Sequence, residues 1–243
     1  MITIDEQKSQ SLIKDVQRFE ETPLTLKGVF TEDELTIIRN VRDEAYTDHE
    51  RTAEKLLSKE SEPLGKMAHP NSELKKILED LVRPKLKDIA TEDYEMEFSF
   101  HRNFFPYGIH TDSGYDTEEL IYKQGIIPLN VFPENGEVYT VIFDQKCYHS
   151  ISYPNSLETI KSLKPEELEQ IKDWSKTNTP KEELSKYWES EDDFQNFNNL
   201  SLALPFKWEM GDMAVWDRAH LHCSSDFSNI QGKSGLMWVS KRI

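Results

Sequence analysis

Gly108-Ile109-His110-Thr111-Asp112 and, far downstream, Gly211-Asp212-Met213-Ala214-Val215-Trp216-Asp217-Arg218-Ala219-His220-Leu221-His222 are the stretches on which the reading of this chain turns. On an extended segment, residues i and i+2 project to the same side. His110 and Asp112 can therefore reach one ion while Thr111 points away. A third ligand must then come from a neighbouring strand, which permits a long sequence gap. Two imidazoles and one carboxylate are the set that holds a mononuclear non-haem iron(II) on one face of an octahedron, leaving the opposite face open. His220 and His222 have the same strand parity, so alternation alone does not choose between them. A bare His-x-Asp is common, and Asp112 also reads as a turn residue before Gly114.

Lys233 lies eleven positions after His222, at the start of the strand-like Lys233-Ser234-Gly235-Leu236-Met237-Trp238-Val239. A cation there can clamp a dicarboxylate whose other end chelates a metal. The competing reading is a solvated lysine at a hairpin tip, Gly232-Lys233-Ser234-Gly235.

Working outward, Tyr94 to Phe100 alternates apolar and polar residues with period two, which predicts a half-buried strand. Further strands are expected at Ile126–Phe132 and Glu137–Phe143, separated by the turn signal Pro133-Glu134-Asn135-Gly136, and at Phe206–Glu209, Met213–Trp216 and Gly235–Val239. Before Tyr94 the pattern is helical. Gln7–Phe19 carries one apolar side. Thr31 with Glu34 forms a capping box for a helix to about Tyr46, and Asn71 to about Ile89 forms another, with Pro84 breaking or kinking it. Pro165 and Pro180, each followed by acids, open helices in an acidic insertion over about 156–200. The whole reads as one domain, 1–243, with helical support over 1–93 and a β core over 94–243.

The chain has 243 residues, 29 basic and 45 acidic, for a net charge of −16. Such a field repels phosphate backbones and anionic surfaces and disfavours nucleic acid as a partner. Two cysteines, Cys147 and Cys223, make no disulfide framework or thiolate zinc site. The N-terminus shows no signal-peptide pattern, and no apolar run approaches the roughly 20 residues that span a bilayer. A cytoplasmic setting is expected; oligomeric state is not indicated.

From about Tyr94 to Arg242 the chain resembles the iron(II)/2-oxoglutarate-dependent dioxygenases, in flavour nearest the phytanoyl-CoA dioxygenase and prolyl 4-hydroxylase branches. The resemblance rests on His110-Thr111-Asp112, on Gly211-Asp212 followed by an aromatic strand to His222, on Ser224, and on the cation eleven residues beyond His222. It implies a double-stranded β-helix (jelly-roll, cupin-like) core, mainly β with added helices. It implies His110, Asp112 and His222 as ligands of Fe(II), with His220 as an exposed or supporting imidazole. It implies 2-oxoglutarate and O2 as co-substrates, with succinate and CO2 released as a small molecule, amino-acid side chain or peptide is hydroxylated. Lys233 stands where family members usually carry Arg to pair with the C5 carboxylate. Asp112 argues against halogenation, since family halogenases lack this carboxylate. Asn130 and Tyr139 are candidates to contact the co-substrate, with Val141 as a further inward-facing strand residue. Arg102, Tyr107 and Tyr115 are candidates to line the substrate entrance. A metal cupin that does not use 2-oxoglutarate, and a non-enzymatic binding protein on the same fold, are the alternative readings.

Overall fold

Strand β1 (Leu24–Leu26) leads through Gly28, whose φ of 57° suits a residue without Cβ, into helix α1 (Glu32–Ala53). The computed structural model describes residues 21–53, 65–90, 93–112, 121–147, 171–172, 179–189 and 200–242. Thr31 Oγ1 accepts from the Glu34 amide at 3.2 Å, while the Glu34 carboxylate accepts from the Thr31 amide at 2.8 Å. That reciprocal cap is worth about 1 kcal/mol to the helix. Leu35, Ile38, Val41, Ala45 and Tyr46 are its buried stripe, whereas Ile37 is exposed. The helix runs seven residues past the expected end at Tyr46.

Strand β2 (Gly65–Ala68) precedes helix α2 (Ser72–Val82), capped by Asn71 Oδ1, which accepts from the amides of Glu73 and Leu74. Pro84 stops α2 at Val82 because it lacks an N–H and its ring clashes with the preceding turn. A 3-10 turn, Arg83–Leu86, continues the chain. The Gln7–Phe19 helix lies outside the described residues.

The remaining elements are β3 (Tyr94–Asn103), β4 (Ile121–Phe132), β5 (Tyr139–Cys147), β6 (Ile171–Lys172), α3 (Lys181–Leu184), β7 (Leu202–Lys207), β8 (Met213–Asp217), β9 (His220–Ser224) and β10 (Gly232–Arg242). Over 156–200 the described residues hold only the one-turn helix α3 and the strand β6. Ile171, within the insertion expected to be helical, pairs with Cys147 in a sheet instead. The Pro165 helix lies outside the described residues. The Gly232–Gly235 segment is the start of a long strand paired on both sides, not a hairpin tip.

Six strands form one antiparallel sheet in the order β1-β8-β4-β10-β3-β2. In the second sheet β5 pairs with β7, β9 and, at its end, β6. The protein is thus mainly β, with few helices. The period-two pattern of β3 sorts its two faces. Tyr94, Met96, Phe98 and Phe100 join α1 and α2 in the largest core cluster, on the helix-covered face of the big sheet. A second cluster lies between the sheets, with Ile126, Val131, Ile142, Phe206, Trp208 and Trp216. A third covers the far side of the small sheet, where Leu184 and Trp188 pack on Val141 and Phe143. Burying each such side chain contributes about 1.5–3 kcal/mol.

One irregularity matters for the site. Gly235 pairs with Pro128, but Ser234 pairs with Asn130, so Leu129 is an extra residue in β4. A bulge of this kind reverses which face the following residues present. Ile126 and, past the bulge, Val131 both face the space between the sheets. Among the described residues, no helix is long and apolar enough to cross a membrane.

Candidate metal centre

The His110 segment is held against β9 by main chain alone. The His110 amide donates to the His222 carbonyl at 2.9 Å, and the His222 amide returns the bond to the His110 carbonyl at 2.9 Å. The two residues are a directly opposed antiparallel pair, with ring centroids 4.3 Å apart. Asp112, two residues on, turns back to the same point. Its Oδ2 lies 3.3 Å from His222 Nε2 and its Oδ1 lies 3.8 Å from His110 Nε2. One ligating atom from each of the three lies within 4.8 Å of the others. Thr111 between them is fully buried.

The tautomers follow from the acceptors. His110 Nδ1 lies 2.8 Å from the Gly108 carbonyl, and His222 Nδ1 lies 3.1 Å from the His220 carbonyl. A carbonyl only accepts, so both Nδ1 atoms carry hydrogen, and both Nε2 atoms face the cluster. Burial, then the neighbouring His222, pushes the His110 imidazole down to about 4, so it is neutral at pH 7. Burial would raise Asp112, but His222, His110 and a hydrogen bond from Gln124 Nε2 outweigh it and hold the carboxyl below the usual carboxylate range. Neutral imidazole beside ionised carboxylate is the state in which these groups bind a divalent ion without first losing protons. The donor set fits iron(II).

His220 lies outside the cluster. It is buried, and its Nδ1 donates to the Phe143 carbonyl at 2.6 Å. Its contribution is the carbonyl that orients His222, so it is not the exposed imidazole considered above.

The cluster opens into a cavity of about 190 Å³ between the sheets. Lys233 enters from the β10 side, 5% exposed, with Nζ donating to Ser224 Oγ at 3.0 Å and lying 4.2 Å above the Trp208 ring. Trp208 is held in turn by its Nε1 bond to Thr140 Oγ1 at 2.9 Å. A Cβ at Gly235 would sit 2.8 Å from the Trp208 ring, so only glycine leaves the indole its place beneath Lys233. Burial pushes the Lys233 ammonium down to about 7. Trp216 packs 5.1 Å from the His222 ring, its buried Nε1 without a hydrogen-bond partner among the described residues.

Other expected positions lie elsewhere. Tyr107 lines the cavity mouth, its ring 5.7 Å from His110. Tyr115 lies outside the described residues. Asn130 is turned to the opposite face by the Leu129 bulge, where its Oδ1 accepts from Arg42. Tyr139 packs edge-on to Tyr187 behind the small sheet, and Val141 packs there too, because the inward residues of β5 are Thr140 and Ile142. Arg102 continues the helix-facing row of β3, over the Tyr46 ring; the inward residues there are His101 and Asn103. His101, Asn103, Gln124 and Thr140 were thus missed. Strict alternation counted from Phe100 would have found His101 and Asn103, whereas nothing local marks Gln124.

No family model and no curated protein matches the sequence. Solved structures match in fold. One is the non-haem alpha-ketoglutarate-dependent carbocyclase SnoK from nogalamycin biosynthesis, at TM-score 0.54 and 12% identity over 96% of this chain and 86% of that one. Another is the epimerase SnoN in complex with Fe3+, alpha-ketoglutarate and nogalamycin RO, at 0.50 and 10% identity over 98% and 85%. A third is apo EctD from S. alaskensis, at 0.50 and 10% identity over 98% and 77%. At such identities the likeness is one of architecture, and in architecture the chain is similar to the 2-oxoglutarate- and iron-dependent oxygenases.

Proposed function

We propose that the chain is an iron(II)- and 2-oxoglutarate-dependent oxygenase that hydroxylates a small organic molecule or an amino-acid side chain. In this reading the two sheets are a double-stranded β-helix (jelly roll) carrying N-terminal helices and an insertion over about 156–200, in one domain. His110, Asp112 and His222 hold the metal. Lys233, steadied by Ser224, receives the distal carboxylate of the co-substrate. One observation carries the proposal: two imidazoles and a carboxylate converge within 4.8 Å in the same cavity as a buried lysine.

Iron(II), when bound, would supply dioxygen activation coupled to oxidative decarboxylation of 2-oxoglutarate to succinate and CO2. The chain's own part is positioning and exclusion of water. The carbonyls of Gly108 and His220 orient the two imidazoles, and Gln124 orients Asp112. Trp208, Trp216, Ile126 and Met237 wall much of the cavity, so a dicarboxylate there meets the Lys233 cation between largely apolar walls. Such a wall strengthens the ion pair by lowering the local dielectric. The co-substrate occupies much of so small a cavity, which places a substrate toward the mouth at Tyr107.

Anaerobic protein with iron(II) and 2-oxoglutarate should develop a metal-to-ligand absorption band, and air should then yield succinate. Absence of both from protein carrying one iron per chain would favour a cupin that does not use 2-oxoglutarate. Failure to bind metal at all would remove the oxygenase reading.

A further inference from the structure

A second cavity, of about 560 Å³, lies on the other face of the large sheet, where the middle of α1 passes over β3, β4 and β10. Its lining combines Arg42 from the helix with Arg102, Asn130 and Ser234 from three adjacent strands. Ser234 is the register partner of both Arg102 and Asn130, so the three form one row across the sheet. The exposed rings of Phe104 and Phe132 flank this row. Phe132 pairs with Gly232, and a Cβ on Gly232 would approach the Phe104 ring to 3.2 Å.

Several features of this row are not needed for packing. Arg42 donates from Nε to Asp43 at 2.9 Å and from Nη1 to Asn130 Oδ1, which occupies two of its five N–H groups. Arg102 is stacked 4.4 Å above Tyr46 and meets Asp43 only at 3.6 Å. Two guanidinium groups thus share one carboxylate, leaving one net positive charge in a chain whose overall charge is −16. Beneath them, the Ser234 hydroxyl is buried and has no hydrogen-bond partner among the described residues. Buried polar groups are rarely left unsatisfied without a reason.

We infer that this cavity binds a singly charged organic carboxylate with an aromatic or extended apolar body, independently of the metal centre. The carboxylate sits between Arg42 and Arg102, with Ser234 and Asn130 beneath it, and the apolar body lies against Phe104 and Phe132. One net positive charge matches a monoanion, whereas a polyphosphate would be repelled by the surrounding acidic chain. Planar guanidinium groups suit the two oxygens of a carboxylate. The volume suits a small-molecule ligand. The inference does not depend on the oxygenase reading: Lys233 borders both cavities, but its Nζ turns to Ser224 and Trp208, on the opposite face of β10 from Ser234.

Titration calorimetry of the full metal-free chain tests it, with phenylacetate and 4-phenylbutyrate as probes and phenylacetamide as the neutral control. Saturable binding of the acids is expected, with the amide at least tenfold weaker. Arg102→Met should weaken the acids about tenfold or more, Phe132→Ala several-fold, and Lys233→Met not at all. Arg102 and Phe132 are both partly exposed, so these variants keep the fold, which circular dichroism checks. Equal binding of acid and amide, loss of binding in Lys233→Met but not in Arg102→Met, or no binding at millimolar probe would each overturn the inference.

Discussion

Gln124 Nε2 donates to Asp112 Oδ2, the same oxygen that lies 3.3 Å from His222 Nε2. Gln124 sits on β4 opposite Trp216 of β8, so the large sheet, not the loop, sets the direction of this carboxylate. Its own Oε1 is buried and without a hydrogen-bond partner among the described residues. Removing the amide should therefore free Asp112 to rotate. Gln124→Ala is expected to weaken iron(II) or nickel(II) binding by roughly 10–100-fold while leaving the circular dichroism spectrum intact. Unchanged metal affinity in a folded Gln124→Ala protein would show that Asp112 needs no such support.

Lys233 gives a pH dependence of defined sign. Burial lowers its ammonium to about 7 before any anion is bound. A dicarboxylate binds the protonated form, so binding takes up a proton above that pH. The dissociation constant for 2-oxoglutarate should rise about tenfold per pH unit between pH 7.5 and 9. Lys233→Arg, charged throughout, should flatten the profile. An equally steep profile in Lys233→Arg would assign the titration to another group.

The same burial has a cost in stability. An ammonium 5% exposed, with a serine hydroxyl and aromatic rings around it but no carboxylate among its described contacts, destabilises the fold at neutral pH. Its folded pKa lies below the unfolded value, so the penalty is present at pH 7 and fades as pH rises toward 10. Lys233→Met should raise the Tm at pH 7 by several degrees, from about 1–2 kcal/mol of relief, while abolishing 2-oxoglutarate binding. A lower Tm would mean that Lys233 packs better than its charge costs.

His110 predicts behaviour in acid. Its folded pKa of about 4 lies below the unfolded value near 6.5. The unfolded chain therefore binds a proton that the folded one refuses. Stability of the metal-free protein should fall by on the order of 3 kcal/mol as pH drops from 6.5 to 4. Below about 4, Asp112 adds a further loss, since its depressed carboxyl must also protonate on unfolding. Urea midpoints of His110→Ala across this range should show a shallower slope than wild type.

Lys123 and Asp217 form a 2.8 Å ion pair in which both side chains are almost wholly buried. Asp217→Ala removes the buried counter-charge and leaves the ammonium beside the exposed Glu21 carboxylate at 3.1 Å. A loss of about 3–5 kcal/mol is expected from chemical denaturation. A loss under 1 kcal/mol would show that water reaches Lys123.

The parts of this molecule that local rules govern could be read from its residues. The capping box at Thr31, the stop at Pro84 and the alternation of Tyr94 to Phe100 each act within one or two turns or a single strand. The three clustered side chains were also legible, because His-x-Asp spacing encodes a shared side and Lys233 follows at a strand-like distance. Failures came where one residue decides parity. An unmarked bulge at Leu129 turned Asn130 to the outer face, and the opposite choice of inward face on β5 exchanged Tyr139 for Thr140. Gln124 could not be found, since its partner is fixed by sheet register between distant segments. In the 156–200 insertion, read as helical, a turn of helix follows Pro180, whereas Ile171 pairs at the end of β5 through a register no local pattern marks.

The doubled amide-to-carbonyl clasp between His110 and His222 has one more implication. Because the backbone itself sets the separation of the two imidazoles, the geometry for an ion is indifferent to the identity of most side chains around it. A rim position such as Tyr107 can then be exchanged to admit differently shaped guests without disturbing the three clustered side chains, which makes this scaffold tolerant of change at its opening.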